Sequence, residues 1–413
     1  MSNKVLSFLG TTKYIECYYS YNDIKTKESC RFIQEGLLEL FCREWGKDDS
    51  IIIFMTEEAR NKNWLGMRES PKANFDEGLK DRLERMKTDM MLNVSIRTVM
   101  IPEGRSEDEI WKIFDIIVKE ICDEDKIVFD ITHSYRYLPM LTLIVLNYTR
   151  FLRDVKIEKI VYGAIEALDS IEVVKSMPIE KRIVPIFDLT SFTTLSDWII
   201  GIERFLETGN AEMIKNLGMV SLKPLLIKTR GRSAQNIRKL LQLLNSFSKI
   251  SSTCRSPQFR DTIKVILDVI PRVEEELHFL KPFAPLMEKV RIKFSKIDVA
   301  GEISCELGVA SWCLEHGFIQ QGLTILRESI VNYVIINILN EKNLKDKAIR
   351  DKAEKMLNDD HKEIPSSIKK LWREIIIYRN DINHAGWRED THSPEDFERK
   401  LREFINRAFQ IMI

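Results

Sequence analysis

The sequence has little of what would mark a secreted, membrane-spanning or metal-held protein. Its seven cysteines are odd in number, form no Cys-x-x-Cys pair and do not cluster with histidine, so we expect reduced thiols rather than disulfides or a zinc site. No apolar run approaches the roughly 20 residues that span a bilayer. The N-terminus also lacks the long apolar segment of a signal peptide. These absences predict a cytoplasmic protein with no metal and no membrane partner.

Common nucleotide-binding and hydrolytic motifs are also missing. The chain has no Gly-x-x-x-x-Gly-Lys-Ser/Thr loop, no full Gly-x-Gly-x-x-Gly after its first apolar run and no His-Glu-x-x-His. This argues against a P-loop NTPase, a dinucleotide dehydrogenase and a zinc protease. The 63 basic and 63 acidic residues give a net charge of zero. A net charge of zero does not exclude a nucleic-acid partner, because binding depends on where the basic residues cluster rather than on the total charge.

The 413 residues exceed what one hydrophobic core usually supports, so we expect two or three domains. In the first half, short apolar runs alternate with amphipathic stretches. Strands are predicted at 5–9, 51–55, 96–101, 126–131, 157–161 and 183–187. Ser106 and Glu109 form a capping box that begins a helix ending near Cys122. Runs without polar alternation suit strands buried on both faces, so residues 1–190 are predicted to form a Rossmann-like α/β domain with a parallel sheet.

From Leu195 onward the pattern is helical almost throughout, so residues 191–413 are predicted to form an all-α second domain. Ser393, Pro394 and Asp396 predict the start of its last helix. One further core helix is predicted from the apolar residues Trp312, Leu323, Leu326 and Ile330. Residues 223–264 hold ten Lys or Arg and one acidic residue, and residues 230–233 are predicted to be an exposed loop. This basic stretch is either a phosphate-binding patch or a solvated helix face.

The strongest catalytic candidate is Arg379-Asn380-x-x-x-His384, near the end of an apolar-periodic helix. Four polar side chains there take positions where the apolar pattern should continue, namely Arg379, Asn380, Asn383 and His384. Buried polar groups are costly unless they are partnered or used, and residues four apart on a helix are neighbours. The alternative is an ordinary helix C-terminus whose charged residues favour the helix dipole.

A second candidate lies where the fourth predicted strand ends. Polar residues crowd that loop, namely Asp130, Thr132, His133, Ser134 and Arg136. The loop after the first strand supplies Gly10, Thr11 and Thr12. Ligands of open α/β sheets bind at this edge, and hydroxyls, backbone N–H groups and a helix N-terminus suit a phosphate or a ribose. The alternative is a strand-to-helix turn in which Ser and Thr serve only as caps. Trp64, beside Asn63, is interpreted as packing rather than as a base-stacking platform.

Three segments together resemble the CARF–HEPN ribonucleases of type III CRISPR systems. They are Leu-Ser-Phe-Leu-Gly-Thr-Thr at 6–12 with Tyr14, Asp-Ile-Thr-His-Ser-Tyr-Arg-Tyr-Leu-Pro at 130–139, and Arg379-Asn380-x-x-x-His384. They occur in the family's order and span nearly the whole chain, and Asp-Ile-Thr-His is the most specific. The resemblance implies a Rossmann-like CARF domain, a helical HEPN domain and a homodimer or higher homo-oligomer. A cyclic oligoadenylate would then lie across the two-fold axis.

By matching positions, the resemblance implies ligand-binding roles for Gly10, Thr11, Thr12, Asp130, Thr132, His133, Ser134 and Arg136. It also implies catalytic roles for Arg379, Asn380 and His384, in a composite site to which both protomers contribute. Cyclic tetra-adenylate is the expected activator, and no cofactor is expected. The family often has Gly where this chain has Thr12 and Ser134, so the ring size stays open.

The resulting hypothesis is a metal-independent endoribonuclease that cuts single-stranded RNA in antiviral defence. The ribose 2′-hydroxyl would be the nucleophile, with His384 as general acid or base. Arg379 would stabilise the phosphorane-like transition state, and Asn380 would orient the phosphate or the imidazole. Two alternatives stay open. One is a non-catalytic regulator in which Arg379 and His384 are buried and paired, and the other is a CARF domain that cleaves its own ligand with Thr132 or Ser134.

Overall fold

The computed structural model describes residues 2–67, 76–133, 137–228, 235–276, 284–387, 389 and 391–413. The chain divides into two compact units, Met1–Thr193 and Thr194–Ile413. The first unit is built on a β-sheet with helices, whereas the second is helical. Within the described ranges, no helix is both long and apolar enough to cross a bilayer.

The first unit contains a sheet that has eight strands among the described residues. In chain order the strands of this unit are β1 (Asn3–Leu9), β2 (Tyr18–Tyr21), β3 (Ile24–Lys25), β4 (Ser50–Met55), β5 (Gly66–Met67), β6 (Asp76–Glu77), β7 (Ser95–Met100), β8 (Lys126–Asp130), β9 (Lys156–Gly163) and β10 (Ile183–Asp188). The order across the main sheet is β3-β2-β10-β9-β8-β1-β4-β7, and β5 pairs with β6 separately.

The sheet is mixed, which corrects the prediction of a parallel sheet. The strands β7, β4, β1, β8 and β9 are parallel neighbours, and β4 is buried along its whole length. In contrast, β10 runs antiparallel to β9, and β2 pairs antiparallel with β3 through a turn in which Asn22 and Asp23 have positive φ. The strands β2 and β3 are partly or fully exposed, so they lack the continuous apolar run that reveals buried parallel strands.

Helices cover both faces of this sheet. They are α1 (Ile33–Phe41), α2 (Glu57–Ala59), α3 (Leu79–Asp89), α4 (Glu107–Glu120), α5 (Leu138–Arg153) and α6 (Ile171–Ser176). The apolar residues of α1 and α3 join one core cluster, and those of α4 and α5 join another. Ser106 caps α4 by accepting a hydrogen bond from the Glu109 backbone, as predicted. The α/β prediction for this unit is therefore confirmed.

The second unit is an all-α assembly around a single large core cluster. Its helices are α7 (Thr190–Thr208), α8 (Glu212–Lys228), α9 (Gln235–Ser252), α10 (Phe259–Glu276), α11 (Ala284–Ser295), α12 (Glu302–Glu315), α13 (Ile319–Asn337), α14 (Lys347–Asn358), α15 (Ser366–Asn383) and α16 (Pro394–Met412). Ser393 caps α16 as predicted. The single helix predicted from Trp312 to Ile330 is wrong, because Gly317 adopts positive φ and separates α12 from α13. The loop predicted at 230–233 lies outside the described residues.

Candidate functional sites

A pocket of about 280 Å³ lies at the carboxyl edge of the first unit's sheet. Strands β1 and β8 are parallel neighbours with Leu6 opposite Phe129, so the loops that follow them meet at one edge. The pocket is lined by Phe8, Leu9, Gly10, Thr11, Thr12, Thr56, Ile101, Thr132, His133 and Leu138. Five of the eight predicted ligand residues are thus brought together. Ser134 and Arg136 lie outside the described residues.

Asp130 does not face the pocket, because its carboxylate is fully buried beneath it. Ser7 Oγ donates to Asp130 Oδ2 at 2.6 Å. Thr132 donates to Asp130 Oδ1 twice, through its backbone N–H at 2.9 Å and its hydroxyl at 2.5 Å. Burial raises the pKa of Asp130, while these hydrogen bonds oppose that rise. The carboxylate therefore positions Thr132 and ties β8 to β1, which is a structural role.

His133 lines the pocket and carries a polar atom with no partner in the described part of the chain. Its Nε2 is buried and has no hydrogen-bond partner among the described residues, and its ring meets Tyr14 edge-on at 4.3 Å between centroids. Burial lowers the pKa of His133 to about 4, so the imidazole is neutral at physiological pH. A buried nitrogen without a partner costs free energy. A ligand that supplies the missing hydrogen bond would recover that cost.

Asn63 fixes the loop after β1, a role that the sequence interpretation did not find. Its side chain is only 4% exposed, and Nδ2 donates to the carbonyl oxygens of Gly10 at 2.8 Å and Thr12 at 3.0 Å. From the other side, the Gly10 N–H donates to the Tyr14 hydroxyl at 2.7 Å. Asn63 lies in a π-helical turn, Arg60–Trp64, a rare conformation that is frequent at functional sites.

The Arg-Asn-x-x-x-His motif lies at the C-terminal end of α15. The expectation that its polar residues continue the buried face is wrong, because Tyr378 and Asp381 occupy that face. His384 is the exposed C-cap, and its backbone N–H donates to Asn380 O at 3.0 Å. Arg379 Nη1 donates to Asn380 Oδ1 at 3.3 Å, whereas the buried Arg379 Nε has no hydrogen-bond partner among the described residues. The motif thus offers an accessible imidazole and a partly engaged guanidinium.

Asp381, inside the same motif, anchors the chain that follows. Its Oδ2 accepts hydrogen bonds from the backbone N–H of His392 at 2.8 Å and from His392 Nδ1 at 2.9 Å. The His392 ring lies against Tyr378 at 4.0 Å between centroids. These contacts hold the start of α16 against the end of α15. The turn between the two helices leaves His384 and Trp387 exposed to solvent.

The basic stretch is only partly described. Within its described part, Arg238 and Lys239 are exposed on α9, whereas Arg260 donates to the carbonyl oxygens of Val299 and Ala300. Across the part of the chain that the structure describes, no group of three or more His, Cys, Asp or Glu side chains is arranged to hold a metal ion.

Comparison with known proteins identifies the first unit. Residues 4–175 match a family model described as CRISPR system endoribonuclease Csx1, CARF domain. The N-terminal unit is a CRISPR-type CARF domain. Residues 194–302, which follow the CARF domain, match a model described as CRISPR-associated protein MJ1674, second domain.

A curated relative supports the same assignment for the chain. The chain is 25% identical over 236 residues to the CRISPR-associated protein MJ1674 of Methanocaldococcus jannaschii. That alignment covers 56% of this chain and 33% of the relative, so it spans about a third of the relative's length. The predicted CARF-containing CRISPR-associated protein is therefore confirmed. The motif from Arg379 to His384 lies outside both segments matched by family models.

Proposed function

We propose that this protein is an RNA endonuclease that a cyclic oligoadenylate activates through the CARF domain in CRISPR antiviral defence. The observation that carries the proposal is the combination of two sites on one chain. The CARF domain has a pocket at the edge where α/β sheets bind nucleotides. The helical unit presents an exposed His384, four residues after Asn380 and five after Arg379.

The pocket suits part of a cyclic oligoadenylate. Its volume of about 280 Å³ lies near the lower end of small-molecule sites, which span about 300–1,000 Å³. One pocket would therefore hold only a portion of a ring. Thr11 and Thr12 supply hydroxyls, and the neutral His133 supplies an imidazole nitrogen without a partner among the described residues.

An apolar face on α5 supports a homodimer. Met140, Ile144 and Phe151 are 66%, 52% and 88% exposed, and their spacing places them on one side of the helix. The face begins beside the pocket, because Leu138 of the same helix lines it. Apolar side chains clustered on a surface mark interaction sites. We assign this face to a second copy of the chain, so that a ring on the two-fold axis would reach both pockets.

The helical unit would cut RNA without a metal. RNA carries its own nucleophile, the 2′-hydroxyl, and His384 would transfer the proton as general acid or base. Arg379 would stabilise the charge on the transferring phosphate, with Asn380 orienting the guanidinium through its carbonyl oxygen. Cleavage would leave a 2′,3′-cyclic phosphate and a 5′-hydroxyl. In a dimer, two such motifs would form one composite site.

The first test is His384→Ala, which should abolish RNA cleavage while ligand binding is kept. His361→Ala is the matched control, because His361 is also exposed and lies outside the motif. Excess chelator should leave cleavage unchanged, and mass spectrometry of the products should detect cyclic phosphate ends. Cleavage by His384→Ala at the wild-type rate would remove this residue from the mechanism.

The alternatives fit the geometry less well. If the protein were a non-catalytic regulator, we would expect His384 to be buried and paired, whereas it is exposed. A CARF domain that cleaves its ligand through Thr132 would need a free hydroxyl. That hydroxyl donates to Asp130 and accepts from the Gly163 N–H at 2.8 Å, so it is engaged on both sides. Ser134, the other candidate for this cleavage, lies outside the described residues, so its part of the alternative stays a prediction.

A further inference from the structure

The helical unit contains a second pocket, of about 680 Å³, which no step of the proposed reaction uses. Its walls come from the turn at Ser256–Gln258, from α12 and α13, and from the loop that precedes α14. Its polar lining includes Ser256, Glu306, Thr324 and Asn332, and its charged lining includes Lys342, Lys345, Arg350, Glu302 and Glu328. Its volume falls within the range of about 300–1,000 Å³ that small-molecule sites occupy.

The floor of this pocket contains buried polar atoms without partners. Glu306 is 2% exposed; its Oε1 accepts from Asn332 Nδ2 at 2.8 Å, and Asn332 Oδ1 accepts from Arg350 Nη1 at 2.9 Å. Glu306 Oε2 and Ser256 Oγ have no hydrogen-bond partner among the described residues. Such atoms cost free energy unless a ligand or water completes them. Burial raises the pKa of Glu306 to about 8, so at neutral pH its carboxyl is mainly a neutral donor.

The rim of the pocket, in contrast to its floor, carries positive charge. Lys342 and Lys345 are exposed on the loop before α14, where they can meet a phosphate. Cys254, Pro257 and Leu344 add apolar wall between rim and floor. Two carboxylates also line the wall, but Glu328 is paired with Arg350 and Glu302 lies 3.9 Å from Arg260. A hydrogen-bonding floor, an apolar wall and a rim with two exposed lysines match the base, sugar and phosphate of one nucleotide.

One face of α13 connects this pocket to the proposed cleavage motif. Gln320, Thr324, Glu328 and Asn332 recur every four residues and so share that face. The last three line the pocket, whereas Gln320 Nε2 donates to Asn383 Oδ1 at 3.0 Å, beside His384. From Gln320 to Asn332 the chain makes twelve helical rises, which at about 1.5 Å per residue is about 18 Å.

We propose that this pocket binds one nucleotide of the single-stranded RNA substrate and thereby selects which phosphodiester reaches His384. The inference rests on the proposed ribonuclease function. The floor of the pocket would set the preference for a base, and the lysines of the rim would contribute to the affinity for RNA. Because the polar stripe is continuous between motif and pocket, we favour an RNA strand that extends from the motif as the occupant, rather than a separate, free nucleotide.

Binding of short fluorescent single strands, measured by anisotropy on the His384→Ala chain, tests the affinity part. Lys342→Glu with Lys345→Glu should weaken RNA binding about tenfold, since two phosphate-facing charges are reversed. The matched control is Lys352→Glu with Lys355→Glu, two exposed lysines on α14 outside the pocket. Equal weakening by the two pairs would overturn the proposal, because it would indicate general electrostatics.

Ser256→Ala and Glu306→Gln test the base preference, with all four bases varied at each position of the strand. Ser256→Ala should reduce the discrimination among bases about fivefold, the worth of one neutral hydrogen bond, while Glu306→Gln should keep it because the amide also donates. Unchanged preference in Ser256→Ala would overturn the proposal. So would a nucleoside monophosphate that binds the pocket without competing with RNA. If RNA binds through this pocket but the wild-type chain cuts no RNA, the ribonuclease function fails and the binding site stands.

Discussion

Replacing Glu306 by glutamine should stabilise the helical unit increasingly as the pH rises. Glu306 is buried on α12, and burial holds its pKa at about 8 instead of 4.5. Between these values the unfolded chain has released the proton whereas the folded chain retains it. The wild-type protein therefore loses stability as the pH rises from about 5 to 8, and the loss levels off above about 8. Glutamine cannot ionise, and its side-chain oxygen can still accept the hydrogen bond from Asn332.

The size of the effect follows from the pKa. Each tenfold change in proton affinity is about 1.4 kcal/mol. Integrated over the two pKa values, the free-energy advantage of Glu306→Gln should grow by about 3 to 4 kcal/mol between pH 5 and pH 8. Urea unfolding followed by circular dichroism at several pH values measures it. The difference between variant and parent isolates this one group, because all other titrating side chains are common to both chains.

Glu302→Gln is the matched control, because Glu302 lies in the same pocket wall but is partly exposed and near Arg260. Because that carboxylate is partly exposed, the variant separates the effect of burial from the mere replacement of a carboxylate by an amide in the same wall. Parallel stability curves for Glu306→Gln and the wild-type chain would refute the reasoning. They would mean that the buried carboxyl ionises in the folded state at no greater cost than in water.

Three further predictions concern the other surfaces. Asn63→Ala should weaken cyclic oligoadenylate binding about tenfold by calorimetry, because two buried hydrogen bonds to the ligand loop are lost; unchanged affinity would show that the loop holds its shape alone. Phe151→Glu should shift the chain from dimer to monomer in sedimentation, since it places a charge in the apolar face, and an unchanged dimer would place the interface elsewhere. Arg238→Glu with Lys239→Glu should raise KM for RNA more than it lowers kcat, whereas unchanged kinetics would leave a solvated helix face.

The central fold was predictable because buried parallel strands leave a plain signal. The strand Ser50–Met55 is apolar and fully buried, and its predicted position differs from the structure by one residue. The strands Tyr18–Tyr21 and Ile24–Lys25 were missed, since they are short and partly or fully exposed over most of their length and have no such run. The sequence signal available for them was the dipeptide Asn22-Asp23, whose residue types tolerate the positive φ that both adopt in the turn.

The sites were predictable to different depths. Position after a strand was enough to bring Thr11, Thr12, Thr132 and His133 into one pocket. It did not reveal that Asp130 lies beneath the pocket, because the partner that buries it, Ser7, comes from a strand more than 120 residues away. Hydrogen bonds between distant segments leave no local pattern, and the contribution of Asn63 was missed for the same reason.

The most direct test of the central claim is RNA cleavage by the full chain during a titration with cyclic tetra-adenylate, with other ring sizes in parallel. We predict slow cleavage without ligand and a large rate increase that follows ligand occupancy. Asn63→Ala should shift the titration to higher ligand concentration, and His384→Ala should remove cleavage at every concentration. A rate that is the same with and without every ring, or cleavage that persists in His384→Ala, would contradict the account.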